Sequence, residues 1–539
     1  MQTPILRSKL YLYLTEFFSG MSVMAVELGA SRLLAPYFSS SQIVWTIIIG
    51  TIMIAMALGN LYGGRSADRD PNPDRLYRRI LIAAVWIAAI PFLGRYVIIG
   101  ISGALVIAVN TGFLIWAGLI SCLLLFVFPL FLLGTTTPTL ARCAVESLDD
   151  SGKTVGRLNA FNTIGSIIGT FVPTFVTIPA VGTSATFLIF SGVLLVLALL
   201  YFFSARRYLL RCIAALILFL LLLIFGGMFH SFAFWEKDLV YEGESVYNYL
   251  QVKDEGPDLA LSTNVLFGVQ SVMQKEGGLT GRYYDYALAA PFMAGAPEDS
   301  IHVLVLGMGT GTFATQCREY IADVKVEGVE IDDKITSLAR DFFRLDPAVP
   351  VATYDGRAWL AASDRSYDVI MVDAYQDITI PFQMSSIEFF ALVKEHLTSN
   401  GIMVVNMNMH SEKEGNINDW LGDTIAAVFP SVFTVDVPYT TNRELFASAA
   451  LQEESSPIYA FIQEYSQTES DTPLTSLLSR VAGQLIPYHG SGRILTDDRA
   501  PVELLGMDVI DGLIQEELRY YKEIVRDEGL GGLITSITG

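Results

Sequence analysis

The sequence predicts two fold classes in series: an α-helical multi-span membrane block, then an α/β domain built on a parallel sheet and entered through a small β-rich segment. Three observations carry this. Apolar stretches of about 20 residues, enough to cross a bilayer, crowd into the first 231 of 539 residues. Charge divides at the same point. Residues 1–231 hold 8 acidic and 15 basic side chains, net +7, whereas residues 232–539 hold 47 and 20, net −27. From residue 301 onward, short apolar runs alternate with helically spaced segments, the pattern of a sheet covered by helices on both faces. The expected domains are 1–231 (membrane, about seven or eight helices), 232–290 (small and β-rich) and 291–539 (α/β).

In the first block, spans are expected near 10–34, 43–64, 80–98, 112–134, 157–180, 184–204 and 208–229. The apolar segment 99–111 reads as a hairpin or part of an eighth span. Five arginines in 63–79 and three in 204–211 mark those loops as cytoplasmic by the positive-inside rule. Seven spans with both loops inside would put the C-terminal domain outside. An eighth span, or a last helix that does not cross, would return it to the cytoplasm. Glu16, Glu27 and Arg32 fall within the first span. Charges there are costly and pair with one another or line a pathway. The glycines of GTIMIAMALGNLYGG and NTIGSIIGTF are expected to let helices pack closely.

Composition excludes several classes. A net of −27 over the C-terminal part argues against a nucleic-acid partner, which needs clustered Lys and Arg. It suits a cationic substrate. The four cysteines form no CxxC and the five histidines no HExxH, so no metal is expected. The N-terminal apolar run is too long for a cleavable signal peptide and is followed by further spans.

In the soluble part, alternating apolar residues over 236–280 suggest short strands. Then IHVLVLG (301–307), VKVEGVEI (324–331), VPVATY (349–354), YDVIMVD (367–373) and GIMVVNM (401–407) read as parallel strands with helices between. Right-handed crossovers place all their C-terminal ends, and any ligand, along one edge. Polar signals sit at those ends. GMGTGT (307–312) follows the first strand and opens a helix, with Gly307, Gly309 and Gly311 letting the backbone approach a ligand. Glu330 ends the second strand, where a carboxylate can bind both hydroxyls of a ribose. Asp355 follows the third and can accept from an adenine amino group, and Asp373 ends the fourth. Together they predict a nucleoside-binding, Rossmann-like domain.

GMGTGT, VEID (329–332), YDGR and VDAYQD, in this order, resemble class I methyltransferase-type enzymes, especially the spermidine synthases. ESVYN (244–248), LFGVQ (266–270) and LTGRYYDYALAAPFM extend the likeness over roughly 236–450. GASRLLAPYF, ALGNLYGGRSAD and LTDDRAPVELL (495–505) resemble the membrane-fused spermidine synthase-like proteins of prokaryotes. The resemblance implies a co-substrate, decarboxylated S-adenosylmethionine or S-adenosylmethionine itself, and an amine acceptor such as putrescine. It also implies a possible homo-oligomer and a cytoplasmic soluble domain on a multi-pass anchor. Gly307, Gly309, Gly311, Glu330 and Asp355 would hold the nucleoside. Asp373, Tyr247, Gln270, Tyr284 and Gln376 would face the amines.

This chain departs from the family pattern at several places. Thr310 replaces a loop Asp that contacts the donor's amino group, and a hydroxyl is a weaker partner for an ammonium than a carboxylate. Gln376 stands where the family has its base, and an amide accepts no proton at neutral pH. Asp373 or the adjacent Asp377 would then take that role. Asn248 replaces Gln, Phe267 replaces Asp, and Asp285 replaces His. Three readings remain: aminopropyl transfer with an altered site, methyl transfer to an amine, and a membrane sensor or transporter that only binds polyamine or nucleoside.

Overall fold

The computed structural model describes residues 4–7, 9–38, 41–109, 111–145, 151–228, 231–265, 270–295, 300–374, 380–408, 411, 413–450, 455–468 and 471–538. Two compact units emerge. One comprises Met1–Glu236 with Glu517–Gly539, the other Lys237–Glu516.

Among the described residues of the first unit, six helices are long and apolar enough to cross a membrane. They are Lys9–Phe38, Gln42–Arg69, Pro73–Val106, Phe113–Ala144, Ser151–Ala205 and Leu209–Gly226. The third helix continues unbroken to Ala108, so residues 99–108 extend it rather than form a hairpin or a separate span. Isoleucine leads that stretch, it contains no proline, and its two glycines do not stop the helix. Ser151–Ala205 holds both the fifth and sixth expected spans. A straight helix of 55 residues would run about 80 Å, far beyond a hydrocarbon core of about 30 Å. It is interrupted by a wide turn at Pro173–Thr177 and by Gly182, whose φ of 81° and ψ of 170° are not helical.

Close packing explains the small residues. A Cβ on Gly165 would lie 2.0 Å from the Phe17 carbonyl oxygen, so only glycine lets the first helix and Ser151–Val172 touch there. Glu16 is fully buried at this crossing. Its Oε1 accepts from Thr137 Oγ1 at 2.5 Å and Asn162 Nδ2 at 2.9 Å. Neutral side chains of two other helices thus carry this buried carboxyl, rather than an ion pair.

The second unit begins with an antiparallel four-stranded sheet in the order β1 (Leu239–Glu244), β2 (Tyr249–Glu255), β3 (Asp258–Ser262) and β4 (Ser271–Gln274). Leu250, Val252, Leu261 and Met273 pack against Ile335, Leu338 and Phe343 of the following domain. That domain carries an eight-stranded sheet. Its strands are β5 (Ile301–Leu306), β6 (Val324–Glu330), β7 (Val351–Thr353), β8 (Tyr367–Val372), β9 (Leu397–Met407), β10 (Ser431–Asp436), β11 (Arg443–Ser448) and β12 (Ile486–Pro487). The order is β12-β10-β11-β9-β8-β5-β6-β7.

The five expected strands are present and mutually parallel. β10, β11 and β12 are additional and antiparallel, so the sheet is mixed rather than wholly parallel. β10 and β11 form a hairpin. Their short runs carry polar residues among the apolar ones, without the continuous apolar stretch that marks a strand buried on both faces. Chain order reverses between β5 and β8, and ligands bind at such a switch point, beyond the carboxyl ends of the strands.

Candidate active site

β5 ends at Leu306, and the chain turns through GMGTGT into the helix Thr312–Tyr320. Gly307, Gly309 and Gly311 have φ of 88°, 54° and 75°, a region costly for other residues. Gly307 is also sterically obligatory. A Cβ there would lie 2.5 Å from the Asp373 carbonyl oxygen and 2.7 Å from the Ala374 backbone. The N–H groups of Gly307 and Met308 both donate to the Val329 carbonyl, at 2.9 and 3.1 Å. Those bonds hold the turn against β6 and aim the Gly309 N–H at Glu330 Oε2, 3.0 Å away.

Glu330 is buried at the end of β6. Its Oε1 accepts from the Asp332 N–H at 3.1 Å. Burial pushes its carboxyl up to about 7, against the pull of the backbone N–H donors. A carboxylate offers about four acceptor positions, so capacity remains for a pair of ribose hydroxyls. Asp332 follows it and is wholly buried. It caps the helix Asp333–Phe342 through the Lys334 N–H, and its Oδ2 accepts from Ser245 Oγ (2.5 Å) and Asn248 Nδ2 (3.1 Å). The ESVYN turn between β1 and β2 is thereby clamped to the end of β6. Tyr247, in the same turn, is 50% exposed.

Asp355 caps the helix Gly356–Ala361, accepting from the Ala358 N–H at 2.8 Å. Arg357, two residues on, forks onto Asp497 with bonds of 2.6 and 2.7 Å. Ser386 Oγ also donates to Asp497 at 2.6 Å. The LTDDRAPVELL stretch is thus tied to the turn that presents Asp355.

Asp373 follows β8, and its N–H donates to the Leu306 carbonyl at 2.9 Å. Tyr283 Oη donates to its Oδ2 at 2.6 Å and Asn406 Nδ2 to its Oδ1 at 2.9 Å. Asn442 Nδ2 in turn donates to Asn406 Oδ1 at 2.8 Å, which fixes the Asn406 amide. Burial pushes the Asp373 carboxyl up to about 7, partly offset by the Tyr283 and Asn406 bonds, while the Glu330 charge raises it further. Two carboxyls of nearly neutral affinity therefore flank the mouth of the β5 turn.

Beside it lies a chain of hydroxyls. Ser271 Oγ is 2.8 Å from Tyr284 Oη and 2.6 Å from Thr310 Oγ1, and Thr310 is 2.9 Å from Thr312 Oγ1. Thr312 donates to the Val272 carbonyl. Tyr284 is engaged there, while its neighbour Tyr283 reaches Asp373. Gln270 donates its backbone N–H to the Leu261 carbonyl, and its Oε1 lies 3.5 Å from Thr263 Oγ1. Asp285 accepts from the Thr280 and Gly281 N–H groups and from Gln316 Nε2, which shapes the preceding loop. Gln376, Asp377, Phe267 and Gly268 lie outside the described residues. Among the described residues no group of three His, Cys, Asp or Glu side chains comes together as metal ligands.

A spermine/spermidine synthase domain is matched over residues 290–455. A probable polyamine aminopropyl transferase of Bifidobacterium longum is 53% identical over 319 residues, covering 57% of this chain and 71% of the relative. The chain belongs to the polyamine aminopropyltransferase family. A polyamine aminopropyltransferase of Vibrio vulnificus is 24% identical over 292 residues, covering 51% of this chain and 93% of the relative. A probable spermidine synthase structure from Corynebacterium glutamicum aligns at 18% identity and a TM-score of 0.36, over 47% of this chain and 98% of that one. By the family model and the Bifidobacterium longum relative, the enzyme is polyamine aminopropyltransferase-like.

Sequence reasoning missed Tyr283, Asn406 and Asn442, and quoted Asp332 without giving it work. Asn406 was detectable, since it interrupts the apolar run of GIMVVNM beside the last Met. Choosing Tyr283 over Tyr284 needed the phase of a five-residue helix, Tyr283–Ala287, which the RYYDY run does not state.

Proposed function

We propose that this enzyme is membrane-anchored and moves an aminopropyl group from decarboxylated S-adenosylmethionine to a polyamine such as putrescine. The observation that carries it is Asp373. It is a carboxyl near neutrality, oriented by Tyr283 and Asn406 and packed against the Gly307 turn. The surroundings suit a sulfonium nucleoside: a backbone approach at Gly307 and Gly309, a buried Glu330 with acceptor capacity, and Asp355 one strand further. When bound, that donor supplies an electrophilic methylene and a neutral thioether as leaving group.

The chain's own residues then have two tasks. Glu330, Gly309 and Asp355 hold the nucleoside. Asp373 accepts a hydrogen from the attacking nitrogen, which keeps its lone pair aimed and takes the proton released on bond formation. Gln376 occupies the family's base position and cannot do this. Asp373 is the carboxylate with the surroundings for it, and Asp377 is the competing candidate. The six apolar helices support membrane anchoring, and a donor of cytoplasmic origin puts the soluble part on that side. The test is product formation by the detergent-purified full chain with putrescine and the decarboxylated donor. Loss of product in Asp373→Asn but not Asp377→Asn supports the assignment. Donor binding without product in the unmodified protein would overturn it.

Thr310 favours a second reading. A hydroxyl already shared with Ser271 and Thr312 stands where the family has a carboxylate for the donor's ammonium. That relaxes the exclusion of intact S-adenosylmethionine and permits methyl transfer. Calorimetry with the two donors separates the readings: at least tenfold tighter binding of the intact donor would favour methyl transfer.

A further inference from the structure

Arg95 sits in the third long helix of the first unit, Pro73–Ala108, and is 2% exposed. Its Nη1 donates to the Ser231 carbonyl at 2.6 Å. Nε and Nη2 are buried and have no hydrogen-bond partner among the described residues, and neither has Ser231 Oγ. Around the guanidinium stand Tyr96, Phe234 and Phe92, with ring centroids 4.9, 5.4 and 5.9 Å from its central carbon. Ring faces attract the charge, but they are weak acceptors for N–H groups. A carboxyl can escape the cost of isolation by taking a proton, whereas a guanidinium keeps its charge and its five donors. Nε and Nη2 are the parallel donors along one side of the guanidinium. Arg443 forks onto Asp436 with the same two nitrogens, at 2.6 and 3.1 Å. What fits such a fork is an oxyanion with two oxygens in reach. Depth points to its source. The last helix, Leu209–Met228, has 20 residues, a rise of about 30 Å against a hydrocarbon core of about 30 Å. Ser231 lies just past its end, so Arg95 stands where the apolar layer gives way to headgroups. Tyr96 and Phe234 are 43% and 41% exposed, and Trp235 packs edge-on against Phe234. Aromatic rings of this kind mark that boundary.

We propose that Arg95 binds the headgroup phosphate of an anionic phospholipid through Nε and Nη2, with Ser231 Oγ as a third donor. This rests on the membrane-anchoring reading above and goes beyond it, to a lipid site that is independent of the transfer chemistry. The half-exposed rings of Tyr96 and Phe234 are the wall that turns aside to admit the phosphate. Ser231 belongs to the segment leaving the last helix, so the bound lipid ties that exit to the third helix. Free inorganic phosphate offers the same oxygens, and the depth of the fork favours the lipid. An ammonium is a point charge without the parallel pair of donors, so a lysine here would attract the phosphate without seating it.

The test measures lipid affinity and melting temperature of the detergent-purified full chain in mixed micelles with phosphatidylglycerol or phosphatidylcholine, and with inorganic phosphate. Phosphatidylglycerol should bind at least about fivefold tighter than phosphatidylcholine and raise the melting temperature. Arg95→Lys should lose about tenfold of that affinity. Arg142→Gln, which removes a half-exposed cation elsewhere on the first unit, should lose less than about twofold. No preference between the lipids, an unchanged affinity in Arg95→Lys, or an equal loss in Arg142→Gln overturns the proposal; the three rings and the Ser231 carbonyl would then suffice for Arg95. The same rise in melting temperature with inorganic phosphate at equal concentration overturns the lipid as the source. If Arg95→Lys does not fold, Ser231→Ala decides: a fall in phosphatidylglycerol affinity of about fivefold supports the site, and an unchanged affinity refutes it. A full chain that stays in solution without detergent would overturn the anchoring reading and this proposal with it. A chain that needs detergent but shows no lipid preference overturns this proposal alone.

Discussion

The two ends of the candidate site are built differently. At the nucleoside end, Glu330 is fixed by main-chain donors, the N–H groups of Gly309 and Asp332. At the amine end, Asp373 is fixed by side chains, Tyr283 and Asn406, with Asn442 behind them. A main-chain donor needs only the right backbone path, so it survives most substitutions that keep the turn. A side-chain donor disappears with its residue. The departures from the family pattern follow this division in part. By the resemblance read from sequence, the glycine turn and Glu330 match the family, whereas Gln376 would alter a residue expected to face the acceptor. Thr310 is the exception, a side-chain change on the donor side.

Substitutions can break this comparison or sharpen it. Asp373→Asn carries the largest expected effect. Turnover should fall about 10²- to 10⁴-fold, the usual contribution of a positioned base, with donor affinity by calorimetry changed less than about threefold. A comparable loss of donor affinity would mean the ends are not separable. Gly307→Ala should damage both ends together, since its Cβ meets the Asp373 carbonyl and its φ of 88° disfavours a side chain. A destabilisation of about 2–4 kcal/mol is expected in denaturant unfolding.

Glu330→Gln should weaken donor binding about 10- to 100-fold, since it loses a charge-assisted acceptor, while leaving acceptor KM nearly unchanged. A smaller effect is expected in pH dependence. With Asp373 held up to about 7, it is protonated and unable to accept below that pH and ionised above it. The acceptor's own ionisation, near 10 for an alkylamine, gives log kcat/KM a slope of about one across this range. Asp373 should steepen the slope to about two below pH 7. The additional step should vanish in the residual activity of Asp373→Asn. Arg357→Ala should matter least. It breaks the fork to Asp497, a partly exposed pair worth about 1 kcal/mol or less. It should shift the melting temperature by a few degrees at most, without altering acceptor kinetics.

Much of the site's donor half was legible in the sequence. Strand ends are marked by where an apolar run stops, and GMGTGT, Glu330, Asp355 and Asp373 each stand at one. Less of the acceptor half was legible. Asn406 and Asn442 are 36 residues apart in the chain and meet only because β11 returns antiparallel beside β9. Tyr283 comes from a helix more than 80 residues upstream of Asp373. Thr310 reads as a lost carboxylate in sequence, and only packing shows its hydroxyl already engaged by Ser271 and Thr312.

By itself the sequence determined the division into an apolar helical unit and an acidic α/β unit, the parallel strand series and the glycine turn that follows β5. These depend on periodicity, local charge and glycine conformations, all properties of neighbouring residues along the chain. The tertiary structure alone decided that the sheet is mixed, that Tyr283 rather than Tyr284 reaches Asp373, and that Arg357 is tied to Asp497. It alone decided that Arg95 is buried with Nε and Nη2 unpartnered among the described residues. Such facts depend on register, helix phase and burial, which arise only when distant segments pack and water is removed from between them.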